Sequence, residues 1–223
     1  NLSVILPTFN ERNNILALLD ELLKLSGSYE IELIVVEDSS TDGTSSSVRE
    51  LAQADRRIRL INRLGRAGLS SAIKEGCLCA TGEVLAIMDT DGQHEVRSVA
   101  NGLKKLIEDK LDFVTGSRFL ENSFIKGLSD ARKGGSNVAN TLARFSLPNR
   151  YSHLTDFMSG CMILDRKSCI SIIEKIDVNG FKFFYELLAI SKGKLKGEEI
   201  ELIFQPRQYG SSKLDIAIVW DFL

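Results

Sequence analysis

The sequence predicts an α/β protein, one domain over residues 1–223 with a mostly parallel central sheet and helices on both faces. Two observations lead there. Short apolar runs alternate with longer segments of helical spacing, the pattern of repeated strand–helix units. Clusters of acidic and polar residues directly follow several of those runs, at what would be the ligand-binding edge of a parallel sheet.

Leu2–Leu6 is an apolar run closed by Pro7, and Glu11–Leu25 then sets Ile15, Leu18, Leu19, Leu22 and Leu23 at helical spacing. The unit repeats with Ile31–Val36 as strand and Thr44–Ala54 as helix, Ile58–Ile61 and Leu69–Ala80, then Val84–Met88 and Val99–Ile107. Phe113–Thr115 reads as a further strand. The second half is less regular. Glu121–Gly135 is polar and rich in Gly and Ser, which suits a mobile loop near a site. Ser136–Ser146 reads as a helix, Met158–Leu164 as a strand, Lys167–Lys175 and Phe183–Lys192 as helices, and Ile200–Gln205 as a late strand. No repeat or clear linker divides the chain.

Composition excludes several classes. With 43% apolar residues the chain can bury a sizeable core. Lys and Arg number 28 against 30 Asp and Glu, a formal charge of -2, so no global basic field exists to hold nucleic acid. Cys77, Cys79, Cys161 and Cys169 lack the paired spacing of a zinc site and are expected to be reduced, mostly packed thiols. The start of the chain has no signal-peptide layout, and no apolar run reaches the roughly 20 residues of a membrane span, so the domain itself is expected to be soluble. Leu214, Ile216, Ile218, Val219, Trp220, Phe222 and Leu223 suggest an interfacial helix or the approach to membrane segments after residue 223, with packing against the domain as the alternative.

The chemistry is concentrated in three strand-end clusters: Pro7-Thr8-Phe9-Asn10-Glu11, Glu37-Asp38-Ser39-Ser40-Thr41-Asp42-Gly43, and Asp89-Thr90-Asp91-Gly92-Gln93-His94. In a parallel sheet these ends share one edge, and converging carboxylates repel unless a cation or hydrogen bonds compensate. On extended backbone Asp89 and Asp91 face the same way and suit a hard cation, Mg²⁺ or Mn²⁺, that also takes water and substrate phosphates. Gln93 and His94 are candidate ligands or supports, against a surface reading for His94. Asp38 suits a ribose or base, against an Asx-turn; Asp42-Gly43-Thr44 fits a helix cap.

In this order, Val4-Ile5-Leu6-Pro7-Thr8-Phe9-Asn10-Glu11, Ile34 through Thr44 and Met88 through His94 resemble the inverting family 2 glycosyltransferases of the Rossmann-like GT-A fold. Within that family the chain is most similar to the dolichol-phosphate mannose synthase branch and its bacterial polyprenyl-phosphate counterparts. Gly116-Ser117-Arg118-Phe119, Arg132 through Asn140, Asp156-Phe157-Met158-Ser159-Gly160, Gln205-Pro206-Arg207 and Gly210 through Leu214 extend the resemblance over nearly the whole chain. Four departures stand out. Glu37 and Ser39 occupy places where Asp and Gly are usual, Glu95-Val96 replaces Pro-Pro, and Phe157 replaces Pro.

The resemblance implies a nucleotide-sugar half over residues 1–117 and an acceptor half over 118–223. Pro7, Phe9, Glu11 and Asp38 would contact the nucleotide, with Asp89, Asp91 and Gln93 around the metal. Arg118, Arg132 and Ser136 would receive an acceptor phosphate, and Arg207 and Lys213 would approach the donor phosphates. Asp156 could steer an arginine, meet the acceptor or act as base, against a turn leading into the Met158 strand. The catalytic set is then Asp91, Arg118, Arg132 and Asp156. The implied reaction moves a hexose from a GDP or UDP sugar, of the GDP-mannose or UDP-glucose type, to a polyprenyl phosphate at the cytoplasmic face of a membrane. A hydroxyl acceptor such as a polysaccharide would need a general base. A non-catalytic nucleotide-sugar-binding module would need neither metal acid.

Overall fold

The computed structural model describes residues 1–27, 29–65, 68–120, 123–125, 140–177 and 182–205. The first half alternates as its periodicity predicts: β1 (Leu2–Thr8), α1 (Arg12–Lys24), β2 (Ile31–Glu37), α2 (Thr44–Ala54), β3 (Ile58–Asn62), α3 (Leu69–Cys79), β4 (Val84–Met88), α4 (Arg97–Glu108) and β5 (Phe113–Ser117). There follow β6 (Phe124–Ile125), helical residues 140–146 (α5), β7 (Cys161–Asp165), α6 (Arg166–Ile173), α7 (Phe183–Ser191), β8 (Gly197–Glu201) and β9 (Ile203–Phe204).

Among the described residues the main sheet has seven strands in the order β3-β2-β1-β4-β7-β5-β8. All neighbours are parallel except β7, which runs antiparallel to both β4 and β5. Strands covered on both faces are apolar at successive positions, and the pleat sends alternate residues to opposite sides. Ile5, Ile34, Val36, Ile87, Phe113 and Leu164 therefore pack with α3, α5, α6 and α7, while Val4, Leu6, Leu33, Val35, Met88 and Ile163 pack with α1, α2 and α4. Gly76 lets α3 lie close on the sheet: a Cβ there would stand 2.5 Å from Ile5 Cγ2.

Two sequence expectations need correction. The strand expected from Met158 begins only at Cys161, because Asp156 Oδ1 holds the Met158 N–H at 3.2 Å in a turn. The single late strand over Ile200–Gln205 is two strands. The Leu202 N–H turns to the Ser117 carbonyl, 3.1 Å away, so β8 pairs with β5 in the main sheet while β9 pairs with β6. Cys77, Cys161 and Cys169 are buried, Cys79 is exposed, and all are free thiols. No helix among the described residues is long and apolar enough to cross a membrane.

Candidate active site

The carboxyl ends of β1 and β2 are knitted together by their own polar residues. The Asn10 N–H donates to Ser40 Oγ at 2.8 Å, and Asn10 Oδ1 accepts from the Thr41 N–H at 2.8 Å. Asp42 reaches both following helices, accepting from the Arg12 N–H through Oδ2 and the Thr44 N–H through Oδ1. Asn10 and Ser39 have φ of 52° and 63°, left-handed values that cost a non-glycine residue and recur at functional turns. The Ser39 hydroxyl donates to the Arg63 carbonyl at 3.0 Å, an anchor that glycine, usual at this place, could not supply.

Several residues expected at the nucleotide line this edge. Pro7 is the second-last residue of β1, and its carbonyl accepts from Thr90 Oγ1 at 3.1 Å. Phe9 is half-buried beside it. Glu11 is buried and accepts from Asn14 Nδ2 at 2.6 Å. Asp38 is buried too. Oδ1 accepts from Arg63 Nη1 at 2.9 Å and Oδ2 from the Gly68 N–H at 2.9 Å. Arg63 also meets Glu75 at 3.0 Å and Ser71, so Asp38 links Arg63 after β3 to Gly68 and, through Arg63, to α3. Nothing in the sequence marked Arg63 as its partner.

Next along the sheet, Asp89 follows β4 and its N–H donates to the Gly160 carbonyl at 3.0 Å. Its side chain remains 32% exposed, open enough to take a ligand. Asp91 accepts the Gln93 N–H at 3.1 Å across the tight turn at Gly92, and Gln93 Nε2 donates to the Gln205 carbonyl at 3.2 Å. Gln205 returns two bonds, from its N–H to the Gln93 carbonyl and from Nε2 to Glu95 Oε1. The carboxylate loop is thus tied to the segment that precedes Arg207.

His94 is buried below this loop, with Nε2 3.9 Å from Asp89 Oδ2. Burial pushes its pKa down to about 4; Asp91 and Asp156 pull upward against it, and Arg118 pushes further down. The imidazole is therefore neutral at physiological pH and lies beside Asp89 and near enough to Asp91, Arg118 and Asp156 to feel their charges.

There Arg118 and Asp156 form a two-pronged pair, Nε to Oδ2 at 2.7 Å and Nη2 to Oδ1 at 2.8 Å. Asp156 is fully buried, and the Arg118 side chain keeps 16% of its surface. Burial works against the guanidinium charge, but Asp156, with a contribution from Asp89, outweighs it and holds the Arg118 pKa above its ordinary value. Asp156 thus engages Arg118 through both carboxylate oxygens and, through Oδ1, also closes the turn at Met158. Arg132, Ser136, Arg207 and Lys213, most of the Glu121–Gly135 loop and the apolar run after residue 213 lie outside the described residues.

The donor chemistry fits a hard cation. Asp89 and Asp91 offer carboxylate oxygens on one short loop, and the Gln93 carboxamide adds a neutral oxygen. Among the described residues no three His, Cys, Asp or Glu side chains form a cage. Mg²⁺ needs none, since it is commonly held by one or two carboxylates with substrate phosphates and water completing the shell.

A model of the family described as Glycosyl transferase family 2 matches residues 3–172, a stretch that includes the Asp89–Asp91 loop and the Arg118–Asp156 pair. The chain belongs to glycosyl transferase family 2. The family 2 relatives include the dolichol-phosphate mannosyltransferase of Pyrococcus furiosus, 32% identical over 224 residues, a match covering 99% of this chain and 61% of that protein. The dolichol-phosphate mannosyltransferase of Mycosarcoma maydis is also 32% identical, over 99% of this chain and 76% of the relative. This family 2 chain thus spans about three-fifths of the archaeal relative's length, by the 61% match.

Solved structures agree on architecture. Glucosyl-3-phosphoglycerate synthase from Mycobacterium tuberculosis, in complex with Mn²⁺, UDP and phosphoglyceric acid, superposes with a TM-score of 0.71 at 20% identity, over 95% of this chain and 72% of that one. The mannosyltransferase PcManGT from Pyrobaculum calidifontis, in complex with GDP-Man and Mn²⁺, gives 0.60 at 23% identity, over 92% and 54%. The fold of this family 2 member is GT-A.

Proposed function

We propose that the domain is a metal-dependent, inverting glycosyltransferase that moves a hexose from a GDP or UDP sugar to a polyprenyl phosphate. The observation that carries the reading is the Arg118–Asp156 pair, which lies near the buried His94 as Asp89 and Asp91 do. The names of the two dolichol-phosphate mannosyltransferase relatives support it.

In this reading Asp89 and Asp91, with Gln93, hold Mg²⁺ or Mn²⁺, which when bound offsets the charge that develops on the leaving diphosphate. Pro7, Phe9, Glu11 and Asp38 form the nucleotide side. Arg118 brings its charge and its Nη1 edge to the acceptor phosphate, while Asp156, holding Nε and Nη2, fixes the orientation of the planar guanidinium. The acceptor phosphate oxygen attacks the anomeric carbon from the face opposite the diphosphate. The bond to the diphosphate oxygen breaks as the new one forms, and its electron pair leaves with the nucleotide, inverting the centre.

A phosphate nucleophile is already anionic, so no proton need be removed. Asp156, engaged on both oxygens by Arg118, suits that chemistry better than the base a hydroxyl acceptor requires. The roles of Arg132 and Ser136 at the acceptor phosphate, of Arg207 and Lys213 at the donor phosphates, and of a cytoplasmic membrane face rest on the sequence resemblance.

The test is a matrix of GDP and UDP sugars against short polyprenyl phosphates, with Mg²⁺, Mn²⁺ or chelator, reading lipid-linked sugar. One metal-dependent pairing is expected. Transfer to hydroxyl acceptors alone, or donor binding with no turnover for any pairing, would overturn the proposal.

A further inference from the structure

The Arg118–Asp156 pair does not stand by itself. Asp156 lies in an irregular segment before β7, where the backbone has no ladder to satisfy it, and buried amides need partners. Glu199 on β8 supplies them. Its Oε1 accepts the Thr155 N–H at 2.7 Å and the Asp156 N–H at 2.9 Å, and Oε2 accepts Thr155 Oγ1 at 2.8 Å. Thr155 Oγ1 is also 2.5 Å from Ser117 Oγ, which takes the Phe119 N–H at 3.1 Å. One carboxylate therefore grips both residues that set the Asp156 side chain, and through Thr155 it reaches the turn carrying Arg118.

A carboxylate is a costly choice for closing a loop. Burial raises the Glu199 pKa, and the hydrogen bonds from Thr155 and Asp156 only partly offset it while the Asp156 charge adds to it. Two carboxylates thus sit near one another, Glu199 bound to the backbone of Asp156 and Asp156 bound to Arg118. The register fixes the position: Glu199 is paired with Thr115 on β5, two residues before Ser117, so β8 delivers the carboxylate beside the strand end it supports.

We infer that Glu199 is a positioning residue for the acceptor side of the site, orienting Arg118 through the backbone of Thr155 and Asp156. This rests on the reading that Arg118 receives the acceptor phosphate, and two measurements keep the two ideas separable. The first needs no substrate: the ¹⁵Nε–H resonance of Arg118, identified by its loss in Arg118→Lys, should shift and exchange faster with water in Glu199→Ala. It should stay near the parent position in Glu199→Gln, whose amide oxygen can keep both backbone bonds. The second is kinetic. Glu199→Ala should lower kcat/KM for the polyprenyl phosphate by on the order of ten- to a hundredfold, the scale of a misplaced reacting group. KM for the nucleotide sugar should not move, and Glu199→Gln should restore most of the loss.

If Glu199→Ala does not fold, Thr155→Val removes one of the three bonds and should shift the same resonance in the same direction. An Arg118 signal unmoved by every folded variant overturns the positioning role. A shifted signal in a protein that transfers nothing to lipid phosphate leaves the role standing and sinks the acceptor assignment.

Discussion

Gly160 and Asp89 meet so closely that any side chain at 160 must displace the carboxylate: a Cβ there would lie 2.0 Å from Asp89 Oδ2. The same glycine accepts the Asp89 N–H through its carbonyl, so it fixes the backbone of the aspartate and leaves room for its side chain. Gly160→Ala is expected to push the carboxylate aside and weaken Mn²⁺ affinity in the presence of GDP or UDP by at least about tenfold, equivalent to about 1.4 kcal/mol. The overpacking should cost about 1–3 kcal/mol of stability. Calorimetric titration and urea unfolding measure the two effects separately.

Asp91→Ala removes a carboxylate that the proposed function assigns to the metal, from a turn outside the core. Donor turnover should fall to background while the unfolding midpoint stays close to the parent's. Full turnover by this variant would sink the metal assignment.

Asp156→Ala should behave in the opposite way, striking stability first. It takes from the largely buried Arg118 guanidinium both prongs of its ion pair, and breaking one side of such a pair costs about 3–5 kcal/mol. Urea unfolding should show a loss of that order. Arg118→Lys keeps a charge but not the fork, and should raise KM for a phosphate acceptor more than KM for the donor.

Glu32 gives the fold a dependence on acid at the edge far from the site. Its Oε1 accepts from Ser3 Oγ at 2.6 Å and from the Thr81 N–H and Oγ1 at 2.6 and 2.8 Å, and Arg59 meets Oε2 at 2.7 Å. Burial opposes its charge, yet these bonds overcome it and lower the pKa from 4.5 to about 2. Because the folded value lies below the unfolded one, the stabilisation is complete above pH 4.5 and is lost as pH falls toward 2. Glu32→Gln should therefore lose less stability than the parent across that window, as read from unfolding midpoints at stepped pH.

Legibility in the sequence followed the range of the interaction. Strand and helix identity in the first half, and the acids at the strand ends, are local patterns, and the structure keeps β1 through β5 nearly where periodicity puts them. The Arg63–Asp38 pair spans 25 residues and the Glu199 contacts span 43 and 44, and no local spacing announces either. The antiparallel sense of β7 is equally silent, since an apolar run does not say which way it enters a sheet. One departure from the family pattern did carry information: Phe157 stands where Pro is usual, and its N–H donates to Asn140 Oδ1 at 2.9 Å, a bond proline cannot make.

The placement of β7 between β4 and β5 also orders events as the chain is made. Those two strands emerge early but do not touch, and the strand that fills the slot arrives with residues 161–165. Until then both carry open edges, the condition that invites pairing with other chains. The anchor for Asp89 comes in with the same stretch, because Gly160 immediately precedes β7. A nascent chain halted before residue 160 is therefore an unfinished sheet, with β4 and β5 unjoined and the Asp89 N–H without the carbonyl that Gly160 later supplies.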